Sequence, residues 1–433
     1  MRPVRLTNRT LAGAMGIVVC GIMSACGRGT TTAPEPPPSA TPALYQPRPL
    51  TNVTYERTAE RRTRGQYLVE GPLQCFVCHS ERDWTKPGAP PKPGRAGAGA
   101  VWWNKPWLVA HNLTPDPETG VGQWTDDMLV RAIREGVAHD GRTLHPQMWS
   151  GAFSRLSDED AAAVVVFLRS MKPVHNPLPA TAIPPEQAAK LRVQKPIDGP
   201  VAPPDPSDPL SRGRYLALIA DCSGCHTSWY TPRNPGLFAG GNLIERGDLK
   251  AYSANITRDA SGLAHYDRDL FREVIRTGTV RAREISPLMP WIAFRHLNDA
   301  DLNALFDYLA AFRPAKHTID NVNAPAPCAI CGGTHPLGQY NRQAEAKTVP
   351  VRIDDVRDAV GVYRFEDGFE LSFAIENGRF VGRAGDDADS CDMTTTDGRV
   401  FDCDIDHVEF VRDAQGRVTG LINNRADPAR KVR

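Results

Sequence analysis

Apolar residues recur at helical spacing in two separate parts of the chain, and similar sequences accompany them in both. Residues 127–136 and 269–278 carry apolar positions three and four residues apart, and each segment ends in glycine. Upstream of them stand Arg-Gly-Gln-Tyr-Leu at 64–68 and Arg-Gly-Arg-Tyr-Leu at 212–216, each interpreted as part of a short helix. The pattern therefore predicts one helical module that occurs twice.

A capped helix is expected to close each repeat. Ser157 and Asn298 are each followed by an aspartate three residues on and by an apolar run, which is typical of a helix N-terminus. Pro173 and Pro314 then end the two runs. Each repeat is therefore predicted to be an all-α domain.

The last part of the chain, residues 350–433, follows a different pattern. Segments such as 369–375 and 408–411 alternate apolar and polar residues, as half-buried strands do. Asp-Gly, Asn-Gly and Gln-Gly pairs separate such segments and are typical of hairpin turns. We expect a small all-β domain that carries no catalytic motif and packs against, or recruits, another surface.

The N-terminus has the pattern of an export signal. Basic residues precede the apolar stretch 11–23, which is too short to span a bilayer as a mature helix. Met-Ser-Ala-Cys at 23–26 resembles a bacterial lipobox, in which the cysteine, here Cys26, is acylated. The alternative is ordinary cleavage that leaves this cysteine unmodified. We expect a periplasmic protein held at the membrane through a lipid anchor at Cys26.

Length and composition suit several loop-rich domains. The chain has 433 residues, which suits two to four domains, and its 38 Pro and 36 Gly indicate much loop and linker. Lys and Arg total 51 against 50 Asp and Glu, so no charge excess indicates a nucleic-acid partner. The expected organisation is a lipoprotein signal peptide at 1–25, a Pro/Thr-rich linker at 26–54, a first helical domain at 55–175, a Pro-rich linker at 176–209, a second helical domain at 210–316, a Cys-pair linker at 317–349 and the β-domain at 350–433.

Cysteine spacing supplies the strongest chemical signal. Outside the export signal and the lipobox, eight of the 10 cysteines fall into four pairs, and two of the pairs are followed directly by histidine. C-x-x-C-H is the attachment motif of c-type haem, because two thiols one turn apart can bind the two vinyl groups while the histidine coordinates the iron. We predict two covalently bound haem c groups, with these attachment residues: Cys75, Cys78, His79, Cys222, Cys225 and His226.

Two methionines are candidates for the sixth iron ligand. Met148 and Met289 each lie eight residues before a leucine that precedes the closing helix. A methionine is more often a core filler, but the matched placement favours ligation. A His/Met pair raises the reduction potential and suits electron transfer. His145 competes with Met148 at the first haem, whereas the second module has no histidine nearby.

The other two cysteine pairs are interpreted as disulfides. Cys328 and Cys331 are followed by glycine rather than histidine, so a third haem is not expected. In the oxidising compartment that haem attachment implies, these two and a further pair, Cys391 and Cys403, can form disulfides. A zinc site completed by His335 is the alternative for the first pair, although it lacks an evident fourth ligand.

The two modules resemble the cytochrome c subunits of bacterial membrane-bound alcohol and gluconate dehydrogenases. The residues that carry the resemblance lie at 112–116, 119–124, 134–137, 140–141 and 156–160. It implies two tandem class I cytochrome c domains. Together with the alternating pattern at 350–433, the expected fold is mainly α, with these two domains followed by a small C-terminal all-β domain. The resemblance also implies redox partner proteins, namely a dehydrogenase that donates electrons and a quinone or oxidase-side acceptor. That family carries three haems, whereas two are expected here.

Three functions remain open on the sequence. An electron carrier needs six-coordinate irons, a dihaem enzyme such as a peroxidase needs one open iron, and a redox-linked binding protein would use the β-domain. The paired methionines favour the carrier, and no catalytic residue is predicted. Aromatic residues beside the methionines are expected either to contact the other module or a partner, or to line the haem pockets: Trp149, Phe153, Trp291 and Phe294.

Overall fold

The computed structural model describes most of the chain after its N-terminal segment. The expected signal peptide and Cys26 lie outside the described residues, and so does Trp149. No helix within the described residues is both long and apolar enough to cross a bilayer. The described ranges are 45–148, 150–229, 235–280, 283–341, 351–365, 369–385, 390–395, 398, 400–403, 406–423 and 427–433.

The first helical module alternates helices with one two-stranded hairpin, which lies between the C-x-x-C-H segment and the next helix. A short helix follows it in the Pro-rich linker. The elements are α1 (Ala59–Glu70), α2 (Cys75–Cys78), β1 (Ala100–Trp102), β2 (Lys105–Ala110), α3 (Asp126–Glu135), α4 (Ser150–Phe153), α5 (Asp158–Ser170) and the linker helix α6 (Pro185–Ala188).

The second module repeats this order and adds one more hairpin. Its helices correspond in sequence to α1–α5 in turn, and its first hairpin corresponds to β1 and β2. The elements are α7 (Ser211–Ile219), α8 (Cys222–His226), β3 (Leu243–Arg246), β4 (Leu249–Tyr252), α9 (Arg268–Thr277), β5 (Thr279–Val280), β6 (Arg283–Glu284), α10 (Trp291–Phe294) and α11 (Asp299–Ala311).

Glycine allows the first and last helix of each module to approach closely. A Cβ atom added at Gly65 of α1 would overlap the carbonyl oxygen of Ala163 in α5, and one added at Gly213 of α7 would overlap that of Ala304 in α11. No side chain fits such a gap, so only glycine permits these contacts. The leucine three residues after each glycine is fully buried. The repeated Arg-Gly-x-Tyr-Leu sequence therefore fixes a helix crossing.

A two-stranded hairpin and then a nine-stranded sheet follow the second module. The hairpin pairs β7 (Pro325–Pro327) with β8 (Thr334–Pro336), and a short helix, α12 (Ile353–Val356), leads into the sheet. The sheet strands are β9 (Gly361–Phe365), β10 (Glu370–Glu376), β11 (Arg379–Ala384), β12 (Cys391–Asp392), β13 (Thr394–Thr395), β14 (Val400–Cys403), β15 (Asp406–Arg412), β16 (Val418–Asn423) and β17 (Asp427–Lys431).

This nine-stranded antiparallel sheet is nearly closed. Its strand order is β12-β11-β10-β9-β17-β16-β15-β14-β13, so β12 and β13 form its two edges. Only Met393 separates these edge strands in the sequence, and its side chain is buried in the core. The two edges must therefore lie next to each other. Tyr363, Phe373, Phe380 and Phe401 fill the interior.

The structure brings Cys391 and Cys403 together beside this gap. Cys391 lies in β12 at one edge, and Cys403 lies in β14, one strand in from the other edge. Their Cα atoms are 6.0 Å apart, which a disulfide can span. A covalent link here would join the two margins of the sheet.

The expectation of a mainly α protein was wrong. Among the described residues, 29% are helical and 20% lie in strands, so strands are a major component of the fold. The difference has two sources. The C-terminal sheet has nine strands, and hairpins occupy module segments that carry no strong alternation, such as 100–110 and 243–252.

Tyr67 of the first module completes the N-terminal cap of the second module's closing helix. Asn298 caps α11 by accepting a hydrogen bond from the backbone N–H of Asp301, at 2.8 Å. The Tyr67 hydroxyl donates to the carboxylate of Asp301 and accepts from the backbone N–H of Asn298, at 3.3 Å. In an ordinary capping box, the third helical residue would accept that N–H directly. Here a tyrosine from the other module bridges the two groups.

Tyr215 of the second module does the same for the first. Its hydroxyl donates to a carboxylate oxygen of Asp160, at 2.6 Å, and accepts from the backbone N–H of Ser157, at 3.2 Å. Burial raises the pKa of both tyrosines, so their hydroxyls remain protonated donors. The two modules therefore meet through a reciprocal contact, as expected for a pseudo-twofold interface.

An arginine of the same repeated sequence holds each aspartate from its own module. Arg64 binds Asp160 through two hydrogen bonds of 2.7 Å, and Arg212 binds Asp301 through two of 2.8 and 2.7 Å. Burial alone would raise the pKa of Asp301, but the hydrogen bonds from Arg212 and Tyr67 hold it below its usual 3.8. This contribution to stability is present at neutral pH and is lost as the pH falls through the lowered pKa.

Apolar and backbone contacts extend the interface to the C-x-x-C-H segments. Tyr215 and Ile219 of α7 belong to the apolar cluster of the first module, together with Phe153. The amide Nε2 of Gln74 donates to the backbone carbonyl of Ala220 at 3.0 Å. Gln74 directly precedes the first C-x-x-C-H, and Ala220 stands two residues before the second. The two segments are therefore tied together.

We expect replacement of the bridging hydroxyls to weaken the module interface. Tyr67→Phe and Tyr215→Phe each remove a buried hydrogen bond to a charged acceptor, which costs about 1.5–3 kcal/mol. The urea midpoint of unfolding measures the effect. Tyr340→Phe is the matched control, because the Tyr340 side chain is 64% exposed and its loss should leave the midpoint unchanged. Equal midpoints for all three variants would contradict the assigned role of the hydroxyls.

Candidate functional site

Each C-x-x-C-H segment forms one helical turn that starts from a left-handed residue. Gln74, with φ 52°, precedes α2, and Asp221, with φ 51°, precedes α8. A single turn places residues three apart on the same side of a helix. The two cysteines of each segment therefore face the same way, as attachment to one porphyrin requires.

Both histidines of these segments are oriented by a backbone carbonyl. The Nδ1–H of His79 donates to the carbonyl of His111 at 2.7 Å, and that of His226 donates to the carbonyl of Ala254, also at 2.7 Å. A carbonyl can only accept, so Nδ1 carries the proton and Nε2 keeps its lone pair. Burial lowers the pKa of His79 to about 4, and it also lowers that of His226. Both rings are neutral at pH 7, as a metal ligand must be.

The repeated Asn-x-Thr sequence holds the accepting carbonyls in place. The side-chain oxygen of Asn112, next to His111, accepts from the backbone and side chain of Thr114, at 3.0 and 2.7 Å. Its amide donates to the carbonyl of Val174 at 2.8 Å, after the closing helix. The corresponding Asn255 makes the same set of hydrogen bonds in the second module. A buried turn therefore positions each carbonyl.

A cavity of about 570 Å³ opens beside the first segment. Cys75, Cys78 and His79 line it together with Met148 and His145. Its volume lies in the ~300–1,000 Å³ range of ligand and cofactor pockets. Much of the remaining wall is apolar and includes Leu73, Leu108, Leu113, Leu129, Val164 and Leu168. The cavity brings together an attachment pair, an oriented imidazole and a thioether, and these residues fit a c-type haem.

Met148 and His145 share this cavity but are held differently. The backbone N–H of Gln147 donates to Nδ1 of His145 at 3.1 Å, so the neutral ring carries its proton on Nε2. In the second module, Ser286 takes the corresponding place and accepts from the backbone N–H of Leu288 at 3.3 Å. His145 therefore serves as a turn acceptor, as Ser286 does. The Nδ1 lone pair of His145 is thus used within the turn, whereas the Met148 side chain packs against the apolar cluster of the first module.

The second methionine has the same local geometry as the first. The backbone N–H of Met148 donates to the carbonyl three residues before it at 2.9 Å, and that of Met289 does so at 3.0 Å. Met289 and Cys222 both pack against the second module's apolar cluster, which includes Phe271 and Phe294. The structure thus brings one predicted attachment residue, Cys222, and the predicted ligand Met289 of the second module to one core.

The aromatic residues beside the methionines divide between the two expected roles. Trp291 contacts the first module, because an added Cβ at Gly88 would lie 2.8 Å from its ring. Phe153 lines the cavity and also joins the cluster that contains Tyr215. Phe294 lies in the core of its own module. Among the described residues, Trp291 and Phe153 therefore both lie at the contact between the modules, and Phe153 lines the cavity as well.

Sequence reasoning missed the tyrosine bridges and the role of His317. The repeated Tyr67 and Tyr215 were visible, but a repeat does not show which residue a side chain contacts. Cys328 and Cys331 are free thiols in the structure, in contrast to the expected disulfide, and they face His317. When the sequences of the two modules are aligned, His317 stands where the first module has Asn176. This replacement is the sequence feature that could have drawn attention to His317.

Several curated relatives of the chain are cytochrome subunits of dehydrogenases. The chain is 31% identical to the fructose dehydrogenase cytochrome subunit of Gluconobacter japonicus over 272 residues, which cover 59% of this chain and 53% of the relative. It is 28% identical to the cytochrome c subunit of alcohol dehydrogenase (quinone) from Gluconobacter oxydans over 327 residues, which cover 70% and 64%. No family model matches the chain.

A smaller relative points to the same class of protein. The chain is 29% identical to a diheme cytochrome c-type protein of Cereibacter sphaeroides over 142 residues, which cover 29% of this chain and 44% of the relative. The expected resemblance to cytochrome c subunits of dehydrogenases is therefore confirmed. Such relatives imply covalently bound haem c. The chain spans about half the length of the fructose dehydrogenase subunit that it matches.

Proposed function

We propose that the chain is a dihaem c-type cytochrome that transfers electrons one at a time and accepts them from a dehydrogenase. The observation that carries this proposal is the duplicated site, with two C-x-x-C-H turns whose histidines each donate from Nδ1 to a backbone carbonyl at 2.7 Å. In this proposal, Cys75 and Cys78 attach one haem c, and Cys222 and Cys225 attach the other. The iron ligands are His79, Met148, His226 and Met289.

Bound haem supplies a reversible one-electron couple at its iron. The chain's own residues then set the properties of the site. The Nδ1 hydrogen bonds fix the orientation of His79 and His226 and raise their basicity as ligands. The apolar walls of the first cavity exclude water, and a methionine thioether raises the reduction potential relative to a second histidine. These features suit a carrier rather than an enzyme, which needs an open iron position.

The contact between the modules supports transfer within one molecule. Gln74 and Ala220 join the two attachment segments through a hydrogen bond of 3.0 Å, and Trp291 of the Met289 segment packs against Gly88 of the first module. Electron transfer rates fall steeply with distance. Attachment segments that share an interface therefore favour exchange between two haems over exchange between separate molecules.

Export and anchoring complete the proposal. The expected signal peptide at 1–25 would deliver the chain to the periplasm, and acylation of Cys26 would anchor it to the membrane. The linker at 26–54 then gives the domains at 55–175, 210–316 and 350–433 freedom to reach their redox partners. A quinone or an oxidase-side protein is the proposed acceptor.

We expect the two methionine variants to separate ligation from core packing. Met148→Ala and Met289→Ala should each remove about half of the weak near-infrared absorption that Met-to-iron ligation gives the oxidised protein. His145→Ser is the matched control, because serine can accept the Gln147 N–H as Ser286 accepts that of Leu288. This control should keep the full band. A high-spin haem that consumes peroxide in the unmutated protein would overturn the carrier proposal.

We also expect a disulfide between Cys391 and Cys403. It would close the gap between the sheet margins. Because the disulfide closes a short loop in the unfolded chain, it should raise the free energy of unfolding by roughly 3 kcal/mol. Mass analysis of peptides from the non-reduced protein should recover the two cysteines as one linked species. Cys391→Ser with Cys403→Ser should lower the urea midpoint of the β-domain. Recovery of two free thiols at these positions from the exported protein would contradict the disulfide.

A further inference from the structure

Four metal-binding side chains converge just after the second module, away from both C-x-x-C-H segments in sequence. They are His317, Cys328, Cys331 and His335, and their ligand atoms all lie within 4.8 Å of one another. Both histidines and Cys331 are fully buried, and Cys328 is 4% exposed. None of the four belongs to the proposed haem sites. Their function therefore needs a separate explanation.

The tight turn between β7 and β8 contains Cys328 and Cys331, and we call this turn, residues 328–333, the knuckle. Gly332, with φ 76°, turns the chain directly after the second cysteine. The backbone N–H of Cys331 donates to the Sγ of Cys328 at 3.5 Å, and that of Gly333 donates to the Sγ of Cys331 at 3.4 Å. Backbone donors aimed at sulfur favour the thiolate over the thiol. The knuckle is thus built to hold negative charge in a buried place.

The two imidazoles point their lone pairs at the same spot. The Nδ1–H of His317 donates to the carbonyl of Ala239 at 2.9 Å, and that of His335 donates to the carbonyl of Pro336 at 3.0 Å. In neutral rings both Nε2 atoms therefore carry lone pairs, yet they lie 3.0 Å apart, and the Sγ of Cys328 is 3.6 Å from Nε2 of His317. Lone pairs that face one another without a proton repel. A cation between them removes the conflict.

We propose that these four side chains bind one Zn²⁺ ion in a closed, structural site. Tetrahedral zinc with bonds of about 2.0–2.3 Å places its ligand atoms roughly 3.3–3.8 Å apart. The separations of 3.0 Å between the two Nε2 atoms and 3.6 Å between Nε2 of His317 and Sγ of Cys328 lie near this range. Two thiolates and two imidazoles are a common zinc ligand set. A binuclear iron–sulfur cluster would hold its cysteine and histidine pairs on different irons, and the single tight group does not fit it.

The ion would stabilise the loop that supports the second attachment histidine. The carbonyl of Ala239 accepts from His317, and the backbone N–H of the next residue, Gly240, donates to the carbonyl of His226 at 2.6 Å. Zinc would thereby fasten residues 317–341, which contain little regular structure, to the second module. A metal often replaces a hydrophobic core in such short segments.

The first module provides a natural control for His317. Asn176 occupies the corresponding place there, and its amide donates to the carbonyl of Ala98 at 2.7 Å. The following residue, Gly99, donates to the carbonyl of His79 at 2.8 Å, as Gly240 does to that of His226. His317→Asn should therefore keep the structural hydrogen bond to Ala239 while it removes a zinc ligand. A purely structural histidine would tolerate this change.

The test is metal analysis of the purified full-length holoprotein, kept reduced and supplied with zinc before excess metal is removed. We expect one zinc per chain, with two sulfur and two nitrogen neighbours in X-ray absorption at the zinc edge. His317→Asn should lose one nitrogen neighbour and bind zinc about 100-fold more weakly or worse. Cys328→Ser with Cys331→Ser should hold no zinc, whereas the control pair Cys391→Ser with Cys403→Ser should keep it.

Several outcomes would overturn the proposal. Absence of zinc from the reduced, unmutated protein is one. Zinc content and neighbours that do not change in His317→Asn or in the Cys328 and Cys331 variant would show that the ion sits elsewhere. Because the measurement on the unmutated protein needs no variant to fold, the proposal can fail even if a variant does not accumulate. None of these results depends on whether the haem proposal is correct.

Discussion

The exchange of tyrosines between the two helical modules is the interaction on which the described arrangement depends. Each tyrosine bridges the N-cap N–H and the third-residue aspartate of the other module's closing helix. Neither closing helix therefore has its complete cap unless both modules are folded and docked. An arginine of the same repeated sequence neutralises each aspartate, so each buried carboxylate is paired with a cation of its own module.

This interface also determines where the candidate haem sites lie. The helix that carries each tyrosine leads directly into a C-x-x-C-H turn, and Gln74 joins one turn to the segment before the other. On the opposite side of each histidine, a buried Asn-x-Thr turn fixes the carbonyl that orients the imidazole. One short sequence, Arg-Gly-x-Tyr-Leu, thus contributes an ion pair, a close helix contact, a bridge between modules and a core residue. Its repetition explains why the interface has pseudo-twofold symmetry.

The sequence predicted the local chemistry better than the long-range contacts. The closing helices begin at Asp158 and Asp299, directly after the predicted caps, because capping is decided within four residues. The partners of Tyr67 and Tyr215 lie 234 and 55 residues away, and no local pattern reports such contacts. His317 escaped notice for the same reason, since it is 11 residues before Cys328 and is brought to it by the chain's path.

The fold class shows where local patterns mislead. Alternating segments and an Asn-Gly turn located strands such as β10 and β11, which meet at Asn377 and Gly378. The same approach predicted all-α modules and no strands at residues 100–110 and 243–252, because short hairpins carry too few alternating positions to stand out. The proportion of residues in strands was therefore underestimated. The near-closure of the sheet depends on pairing order, which alternation cannot supply.

The most direct test of the account is whether an electron placed on one haem reaches the other without leaving the molecule. Flash-induced reduction of one haem, followed by spectral relaxation, measures this exchange over a range of protein concentrations. If the interface holds the two attachment segments together as described, the relaxation rate will be independent of protein concentration. A rate that rises in proportion to concentration would mean that the modules act as separate carriers, and it would contradict the central claim.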